Sequence, residues 1–501
     1  MRIPIVLLAV LLLAPCPLLT AQHPVTVQVE IDGQAPEHPF PHFWEEMFGS
    51  GRATLSLRAG YRRDLRQVAS ATDFRYVRFH GIFDDDTGFY SEADGGKPTY
   101  NYSYIDQIYD YLVAQHIRPF VELDFMPRQL ASADKTNGFW YRPNVSPPRD
   151  WNTWADMVQH FVQHLVNRYG SDEVEHWYFE VWNEPNSNFW AGNPREPTYY
   201  HLYDVTARAV KGVDSHLRVG GPATSKVAWV SDFIRHCAQQ GVPVDFVSTH
   251  VYGSDKAESI LGSGRNVGRK DLVYQAVRKV RNEVRASSMP NLPIIISEYN
   301  ASSNSESDVT DSAFVGPWLA NTIRQCDGLV KLMSFWTFSD VFEEQGIIDK
   351  PFDGGFGLIA ERGIHKASFN DFALLHKLGT DRLETGGHST IVTRRPDGSL
   401  AIAVWNYAPP GEAGQTERVE LSFKNVPGAK RAIVWVVDAD HGSPLETWKA
   451  MGSPSFPTRE QIEILRQAGN LPAPQILPLT HDGSNLSITL NAHALAVAEV
   501  R

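Results

Sequence analysis

Cysteine is scarce in this chain of 501 residues, which contains only three. Cys16 lies in an apolar N-terminal segment, and Cys237 and Cys326 are far apart in the sequence. Two distant cysteines exclude a disulfide scaffold and a zinc site built from cysteine. We therefore expect two free, buried thiols.

Positively charged residues are fewer than negatively charged ones. The chain has 46 Lys and Arg residues and 58 Asp and Glu residues, which gives a formal net charge of −12. An acidic chain lacks the basic surface that binds nucleic-acid phosphates or anionic membranes. Nucleic acid is therefore not an expected partner, and neutral or small ligands are favoured. The 42 % of hydrophobic residues is otherwise that of an ordinary globular protein.

Long apolar runs are missing after the N-terminus. The run at residues 5–14, which follows Arg2, is too short for a bilayer span, because a spanning helix needs about 20 residues. A basic start, a short apolar run and small residues near position 21 are typical of an export signal. We predict a signal peptide at residues 1–21, export to the periplasm or the medium, and no membrane span. Pro15 makes the stretch before Cys16 a poor lipoprotein attachment site.

The chain after this segment alternates between short β-rich runs and longer amphipathic stretches. The eight β-rich runs are residues 42–48, 74–80, 118–125, 177–184, 217–223, 244–252, 293–300 and 330–338. The clearest helix is residues 154–169, whose apolar residues share one face and which ends before Gly170. Eight strand–helix units predict an α/β fold, a (β/α)₈ TIM barrel over residues 41–380.

The residue pattern changes after Gly379, where apolar and polar residues alternate in short runs separated by Pro- and Gly-rich stretches. Because a single core stops growing at roughly 250–300 residues, a second domain is expected. We predict a β-sandwich over residues 381–501. Residues 25–31 alternate in the same way, so we expect the segment 22–40 to add a strand to that sandwich.

Polar residues at the carboxyl ends of barrel strands are the candidates for chemistry. Glu184 and Glu298 end the fourth and seventh predicted strands, on opposite sides of the ring, and each follows a very apolar run. Cleavage of a glycosidic bond needs one protonated and one ionised carboxyl group. The pair therefore indicates a glycosidase, the alternative being that each Glu belongs to a buried ion pair.

Four motifs resemble glycoside hydrolase family 39: residues 182–186 (WNEPN), 249–252 (THVY), 297–300 (SEYN) and 338–344 (FSDVFEE). The similarity extends to residues 122–127, 144–148 and 353–358, and it looks closest to the β-xylosidase branch. The resemblance implies a secreted, retaining exo-glycosidase that hydrolyses β-xylosides through a covalent glycosyl-enzyme intermediate. It also implies that Glu184 is the acid/base and Glu298 the nucleophile.

The remaining candidates are expected to bind the sugar, with ordinary core or loop packing as the alternative for each. Asn183 would hydrogen-bond the 2-hydroxyl, and Trp336 would form a platform for the ring. Phe125 and Phe189 would wall the site, and Phe125 or Trp336 would exclude the extra hydroxymethyl group of glucose. The family pattern favours Glu344 over Glu343 as the sugar contact. The full set of predicted substrate-binding residues is His80, Phe125, Asn183, His250, Tyr252, Trp336, Glu343 and Glu344.

Other functions stay open at this stage. Another family 39 activity (β-glucosidase, arabinosidase or α-L-iduronidase) is the first alternative, and Arg128 or Arg142 could supply the cation that an iduronidase needs. A non-catalytic carbohydrate-binding barrel is the second. No metal, no cofactor and no partner beyond a small carbohydrate is predicted, and the oligomeric state is left open.

Overall fold

The computed structural model describes residues 24–93, 95–480 and 484–501. The predicted signal peptide and Cys16 lie outside these residues. Within them, Cys237 and Cys326 are free and buried. No helix in the described part of the chain is long and apolar enough to cross a bilayer.

The strands in chain order are β1 Val25–Asp32, β2 Glu37–Pro39, β3 Met47–Arg52, β4 Tyr76–His80, β5 Tyr90–Ala93, β6 Lys97–Tyr100, β7 Arg118–Glu122, β8 Tyr178–Glu180, β9 Arg218–Thr224, β10 Phe246–Tyr252, β11 Ile294–Asn300, β12 Leu332–Phe335, β13 Ile359–Ala360, β14 Ile364–His365, β15 Asp381–Leu383, β16 Thr390–Arg394, β17 Leu400–Trp405, β18 Glu417–Lys424, β19 Arg431–Val437, β20 Gln475–Pro478, β21 Asn485–Leu490 and β22 Leu495–Val500.

The helices are α1 Ala59–Ala71, α2 Ser103–Ala114, α3 Trp151–Tyr169, α4 Ser171–Val174, α5 Arg195–Val213, α6 Val230–Gln240, α7 Ala257–Leu261, α8 Arg269–Ala286, α9 Ser307–Thr310, α10 Val315–Cys326, α11 Ala367–Leu375, α12 Leu445–Ala450 and α13 Arg459–Ala468. Short 3₁₀ turns occur at Ala53–Leu57, Asp85–Thr87 and Ser225–Val227.

Eight parallel strands close into a barrel in the order β3-β4-β7-β8-β9-β10-β11-β12. The predicted TIM barrel is therefore confirmed. The strands are buried on both faces, because each packs against the barrel interior and against a surrounding helix. The clearest predicted helix is also confirmed. In α3 the Asp150 side chain caps the first turn by accepting a hydrogen bond from the Thr153 N–H, and Gly170 takes φ +86° at the end.

The first barrel strand differs from the prediction, because β3 begins at Met47 rather than at residue 42. The apolar residues before it form a turn instead. Phe43 and Trp44 are buried in the main core, where their rings make an edge-to-face contact at 5.4 Å. A short apolar run does not distinguish a strand from a buried turn, which explains the error.

The barrel interior changes from apolar to charged along its axis. Seven barrel strands contribute one residue each to a separate apolar cluster: Met47, Tyr76, Phe120, Tyr178, Phe246, Ile295 and Leu332. Alternate residues of a strand face the same side. Two positions after Tyr76, Phe120 and Tyr178 come Arg78, Glu122 and Glu180, all buried. A layer of charged side chains therefore lies above the apolar cluster, toward the carboxyl ends of the strands.

The C-terminal part consists of two facing sheets. One has the order β1-β18-β21, and β1 runs parallel to β18 over its full length. The other has the order β2-β15-β16-β17-β22-β19-β20. Side chains from both sheets share one core that includes Ile31, Leu421 and Ile402. The opposite face of β17 and β22 packs on α10 and α11 of the barrel, so both strands are buried on both sides.

Two helices in the C-terminal part, α12 and α13, are absent from the sequence prediction. Leu445, Trp448 and Leu465 of these helices pack with Phe352 and Ile364 of the barrel. The two helices therefore lie against the loops that follow the last barrel strand.

Candidate active site

Glu184 and Glu298 meet at the carboxyl end of the barrel. Glu184 lies four residues after the end of β8, and Glu298 lies within β11. One carboxylate oxygen of each lies within 4.8 Å of the other and of the His250 ring. Both Glu residues line a cavity of about 390 Å³. Carboxyl groups about 5–5.5 Å apart are typical of retaining glycosidases, whereas inverting enzymes leave room for a water between them.

Glu298 is held at both oxygens. Arg78 donates from Nη1 to Oε1 at 2.7 Å, and the Tyr252 hydroxyl donates to Oε2 at 2.6 Å. A guanidinium is always charged, so this arrangement suits an ionised carboxylate with one fixed orientation. An ionised, oriented carboxylate is the form that can attack an anomeric carbon.

Glu184 has the opposite environment. Burial raises its pKa from 4.5 to about 7, because the charged form is poorly solvated, while the charges of His80 and Arg78 oppose that rise. The protonated form therefore predominates at pH values below about 7. A protonated carboxyl group facing a cavity is suited to donate its proton to a leaving oxygen.

His250 lies behind the two carboxyl groups. Its Nδ1 is 3.1 Å from Glu184 Oε1 and 3.5 Å from Glu298 Oε2, and its Nε2 is 3.1 Å from Ser297 Oγ. Burial lowers the pKa of His250 to about 4, against the raising effect of Glu298. The ring is therefore neutral. If the Ser297 hydroxyl donates to Nε2, the single ring proton sits on Nδ1 and points at both carboxyl groups.

A bulge in β11 makes this arrangement possible. Thr249 pairs with Ile296, but His250 pairs with Glu298, so Ser297 is an extra residue on β11. Two consecutive side chains, Ser297 and Glu298, can then approach the same ring. Bulges of this kind re-aim side chains next to active sites.

Arg78 is the centre of the charged layer, and the sequence prediction missed it. It is fully buried and donates to Glu180 Oε2 at 2.6 Å and to Asn183 Oδ1 at 3.2 Å, besides Glu298. Its guanidinium is also 3.2 Å from Glu122. Because Asn183 accepts through Oδ1, its amide N–H groups are free to donate into the cavity, as a contact to a sugar hydroxyl requires.

His80 connects the charged layer to the last barrel loop. Its Nδ1 is 2.9 Å from Glu122, and its Nε2 is 3.3 Å from Glu344. Burial alone would lower its pKa, but the carboxylates of Glu122 and Glu344 raise it well above the ordinary value. Burial raises the pKa of Glu344 to about 7. The Trp336 ring lies 4.9 Å from the His80 ring and against Gly49, where a side chain would collide with it.

The loop that carries Glu344 is anchored by a buried lysine. Lys366 Nζ lies 2.6 Å from Asp311 Oδ1 and 2.6 Å from Asp340 Oδ2, and it donates to the Gly355 carbonyl at 2.8 Å. Asp340 in turn accepts from the Gly357 N–H. This cluster fixes both ends of the loop that presents Glu344 to the cavity.

The structure brings seven of the ten predicted site residues to the cavity wall: His80, Asn183, Glu184, Tyr252, Glu298, Trp336 and Glu344. His250 lies behind the wall and contacts the carboxyl groups. Glu343 does not reach the cavity, because it turns the other way and pairs with Arg52 at 3.1 Å and with Arg58.

Phe125 is also not part of the wall. It is fully buried, with its ring edge-to-face on Trp182 at 5.6 Å and stacked on Phe189 at 6.2 Å. Phe189 and Phe139 line the cavity in front of it. The wall also includes Ser187, Ser225, Lys226, Asp255, Ser303, Gln345 and Phe356, which sequence reasoning missed. Phe356 lies in the segment 353–358 noted above for its similarity, the others lie outside the motifs, and only the fold brings them together.

The family model described as glycosyl hydrolases family 39 matches residues 27–485. The chain belongs to family 39. It is 40 % identical to a β-xylosidase of Geobacillus stearothermophilus over 475 residues, which are 92 % of this chain and 93 % of that protein. A monomeric β-xylosidase from Caulobacter crescentus CB15 superimposes with a TM-score of 0.86 at 32 % identity, covering 95 % and 99 % of the two chains.

A more distant relative is the α-L-iduronidase of Homo sapiens, 24 % identical over 441 residues, covering 77 % of this chain and 64 % of that protein. Membership confirms the resemblance found in the motifs. This chain is a glycoside hydrolase that acts on a carbohydrate substrate.

Proposed function

We propose that this family 39 enzyme is an exported β-xylosidase that removes terminal xylose with retention of configuration. The observation that carries the proposal is the pair Glu184 and Glu298, with carboxylate oxygens within 4.8 Å and opposite environments. The two β-xylosidase relatives described above support the choice of sugar. Export rests on the sequence of residues 1–21, and detection of the processed chain outside the cytoplasm tests it.

The proposed reaction has two steps. In the first, Glu298 attacks the anomeric carbon while Glu184 gives its proton to the leaving oxygen, so that a glycosyl ester forms on Glu298 and the alcohol departs. Esterification removes the negative charge of Glu298, and Glu184 is now ionised. In the second step Glu184 takes a proton from water, the water attacks the anomeric carbon, and the ester bond breaks.

The aromatic walls support xylose over glucose. Phe139, Phe189 and Trp336 surround the cavity, and glucose carries one more hydroxymethyl group than xylose. Forcing extra atoms into a packed site costs about 1–3 kcal/mol, which is roughly 5- to 150-fold in rate. We expect a kcat/KM for p-nitrophenyl β-xyloside at least about tenfold above that for the β-glucoside.

An iduronidase activity has less support. It needs a cation for the carboxylate of the sugar that is cleaved off, but Arg128 lies 3.5 Å from Asp85, and neither it nor Arg142 lines the cavity. Lys226 does line the cavity, but it lies on the side of Glu184, where the leaving group goes. A panel of p-nitrophenyl glycosides of xylose, glucose, arabinose and iduronic acid tests the proposal. Equal cleavage of the xyloside and the glucoside would overturn the choice of sugar, and cleavage of none would overturn the enzymatic function.

A further inference from the structure

The cavity wall holds a lysine that the proposed mechanism does not use. Lys226 is exposed and lines the cavity on the 3₁₀ turn Ser225–Val227, after β9. Within the described part of the chain its ammonium group has no hydrogen-bond or ion-pair partner, although its charge acts on Glu184 and Asp255. Asp255 accepts from the Tyr252 N–H at 2.9 Å through Oδ2, and within the described residues it forms no ion pair with Lys226.

The backbone around Lys226 is held in a costly conformation. Lys226 has φ +59° and Val227 has φ +50°, values in the left-handed region that L-residues rarely adopt. Asn186 fixes this turn, because its side chain accepts from the Ser225 N–H at 2.9 Å and donates to the Ser225 carbonyl at 3.0 Å. Strained residues that the surroundings hold in place tend to occur at functional sites.

Lys226 lies on the same side of the cavity as Glu184. Asn186 belongs to the same short segment as Glu184, and the Glu184 N–H donates to the Ala223 carbonyl at 2.9 Å. The turn that carries Lys226 is therefore hydrogen-bonded directly to the segment that carries Glu184. The proton of Glu184 goes to the leaving oxygen, so the leaving group must lie on this side. Glu344 and His80, by contrast, pair with each other beside Trp336.

We propose that Lys226 and Ser225 form a leaving-group subsite, and that Lys226 favours xylosides whose leaving group carries a carboxylate. This inference rests on the proposed β-xylosidase function and adds a substrate class to it. A free ammonium in a cleft attracts an anionic substituent, whereas Lys226 in an ion pair would not. The attraction must weaken with salt, because the group is exposed to solvent.

The test uses 4-carboxyphenyl β-xyloside and its methyl ester, which differ in charge at the far end of the leaving group. The measured quantity is the ratio of kcat/KM for the acid to that for the ester, in the wild type and in variants. Comparing ratios between enzymes cancels the different reactivities of the two phenols. In Lys226→Gln we expect the ratio to fall about two- to fivefold, the range of an exposed charge pair. Lys226→Arg should keep most of the wild-type ratio.

Lys256→Gln is the matched control, since Lys256 is an exposed lysine just before α7 and does not line the cavity. It should leave the ratio unchanged, and added salt should lower the ratio in the wild type, Lys226→Arg and Lys256→Gln, but not in Lys226→Gln. An unchanged ratio in Lys226→Gln, with the ester still cleaved, overturns the leaving-group proposal only. Failure of the wild-type enzyme to cleave the ester, together with cleavage of another glycoside, overturns the β-xylosidase function and this inference with it.

Discussion

Replacing Glu184 by glutamine removes a titrating group from the cavity and keeps its shape. In the wild-type enzyme the basic limb of kcat/KM should fall near pH 7, because only protonated Glu184 can donate to the leaving oxygen. Glu184→Gln should lack this limb. With xylobiose, whose leaving group needs a proton, the variant should lose about 10²- to 10⁴-fold in rate, the usual contribution of general acid–base catalysis.

The same substitution should change stability with a definite sign. Raising the pKa of a carboxyl group from 4.5 to about 7 corresponds to a ceiling of about 3 kcal/mol. The unfolded chain releases this proton near pH 4.5, while the folded chain keeps it to about pH 7. The folded state thus binds more protons in this window, so its stability falls as pH rises. Glu184→Gln lacks that loss, and its stability relative to the wild type should rise by up to about 3 kcal/mol between pH 4 and pH 8.

Urea denaturation and kcat/KM, both measured at closely spaced pH values from 4 to 8, test the two effects on one protein preparation. Glu258→Gln, on the exposed side of α7, is the control and should change neither profile. A basic limb that persists in Glu184→Gln would refute its role as the acid. A stability difference that does not depend on pH would refute the buried, protonated state from which the argument starts.

Three further substitutions have defined outcomes. Glu298→Ala should fold but almost lose turnover, and azide should rescue it by forming a xylosyl azide of inverted configuration; near-normal activity would end the nucleophile assignment. Tyr252→Phe removes a 2.6 Å hydrogen bond to Glu298. Because a hydrogen bond to a charged group is lost, kcat/KM should fall by about 10- to 100-fold. A fall of less than twofold would contradict this role of Tyr252. Lys366→Met leaves two buried aspartates unpaired and should lower the free energy of unfolding by about 3–5 kcal/mol. The control Lys350→Met, at an exposed pair, should lower it by under about 1 kcal/mol. Equal losses for the two variants in urea denaturation would be inconsistent with this.

The barrel was predictable because its strands are covered on both sides. Each such strand reads as a short apolar run, and the polar residue at its end stands out. This is why Glu184 and Glu298 could be selected before the structure. The start of the first strand was not predictable, since Phe43 and Trp44 are as apolar as a strand and as buried, but lie in a turn.

The charged layer was harder to predict than the carboxyl pair. Arg78 stands in an apolar strand and alternates with His80, so its inward direction could have been inferred. Its partners could not, because Glu180 and Glu298 are 102 and 220 residues away in sequence. Which of Glu343 and Glu344 reaches the cavity also depends on partners that are distant in sequence. Neighbouring residues in a loop have no fixed period, and Arg52 and Arg58, which hold Glu343, come from the other end of the barrel sequence.

The proposed reaction requires a covalent xylosyl ester on Glu298. Incubation with a 2-deoxy-2-fluoro-β-xylosyl fluoride, followed by digestion and mass spectrometry, tests it directly, because the fluorine slows hydrolysis of the ester. One label per chain is expected, located on Glu298, with Glu298→Ala unlabelled. Label on another residue, or turnover of the natural substrate to α-xylose as the first product without any labelled peptide, would contradict it.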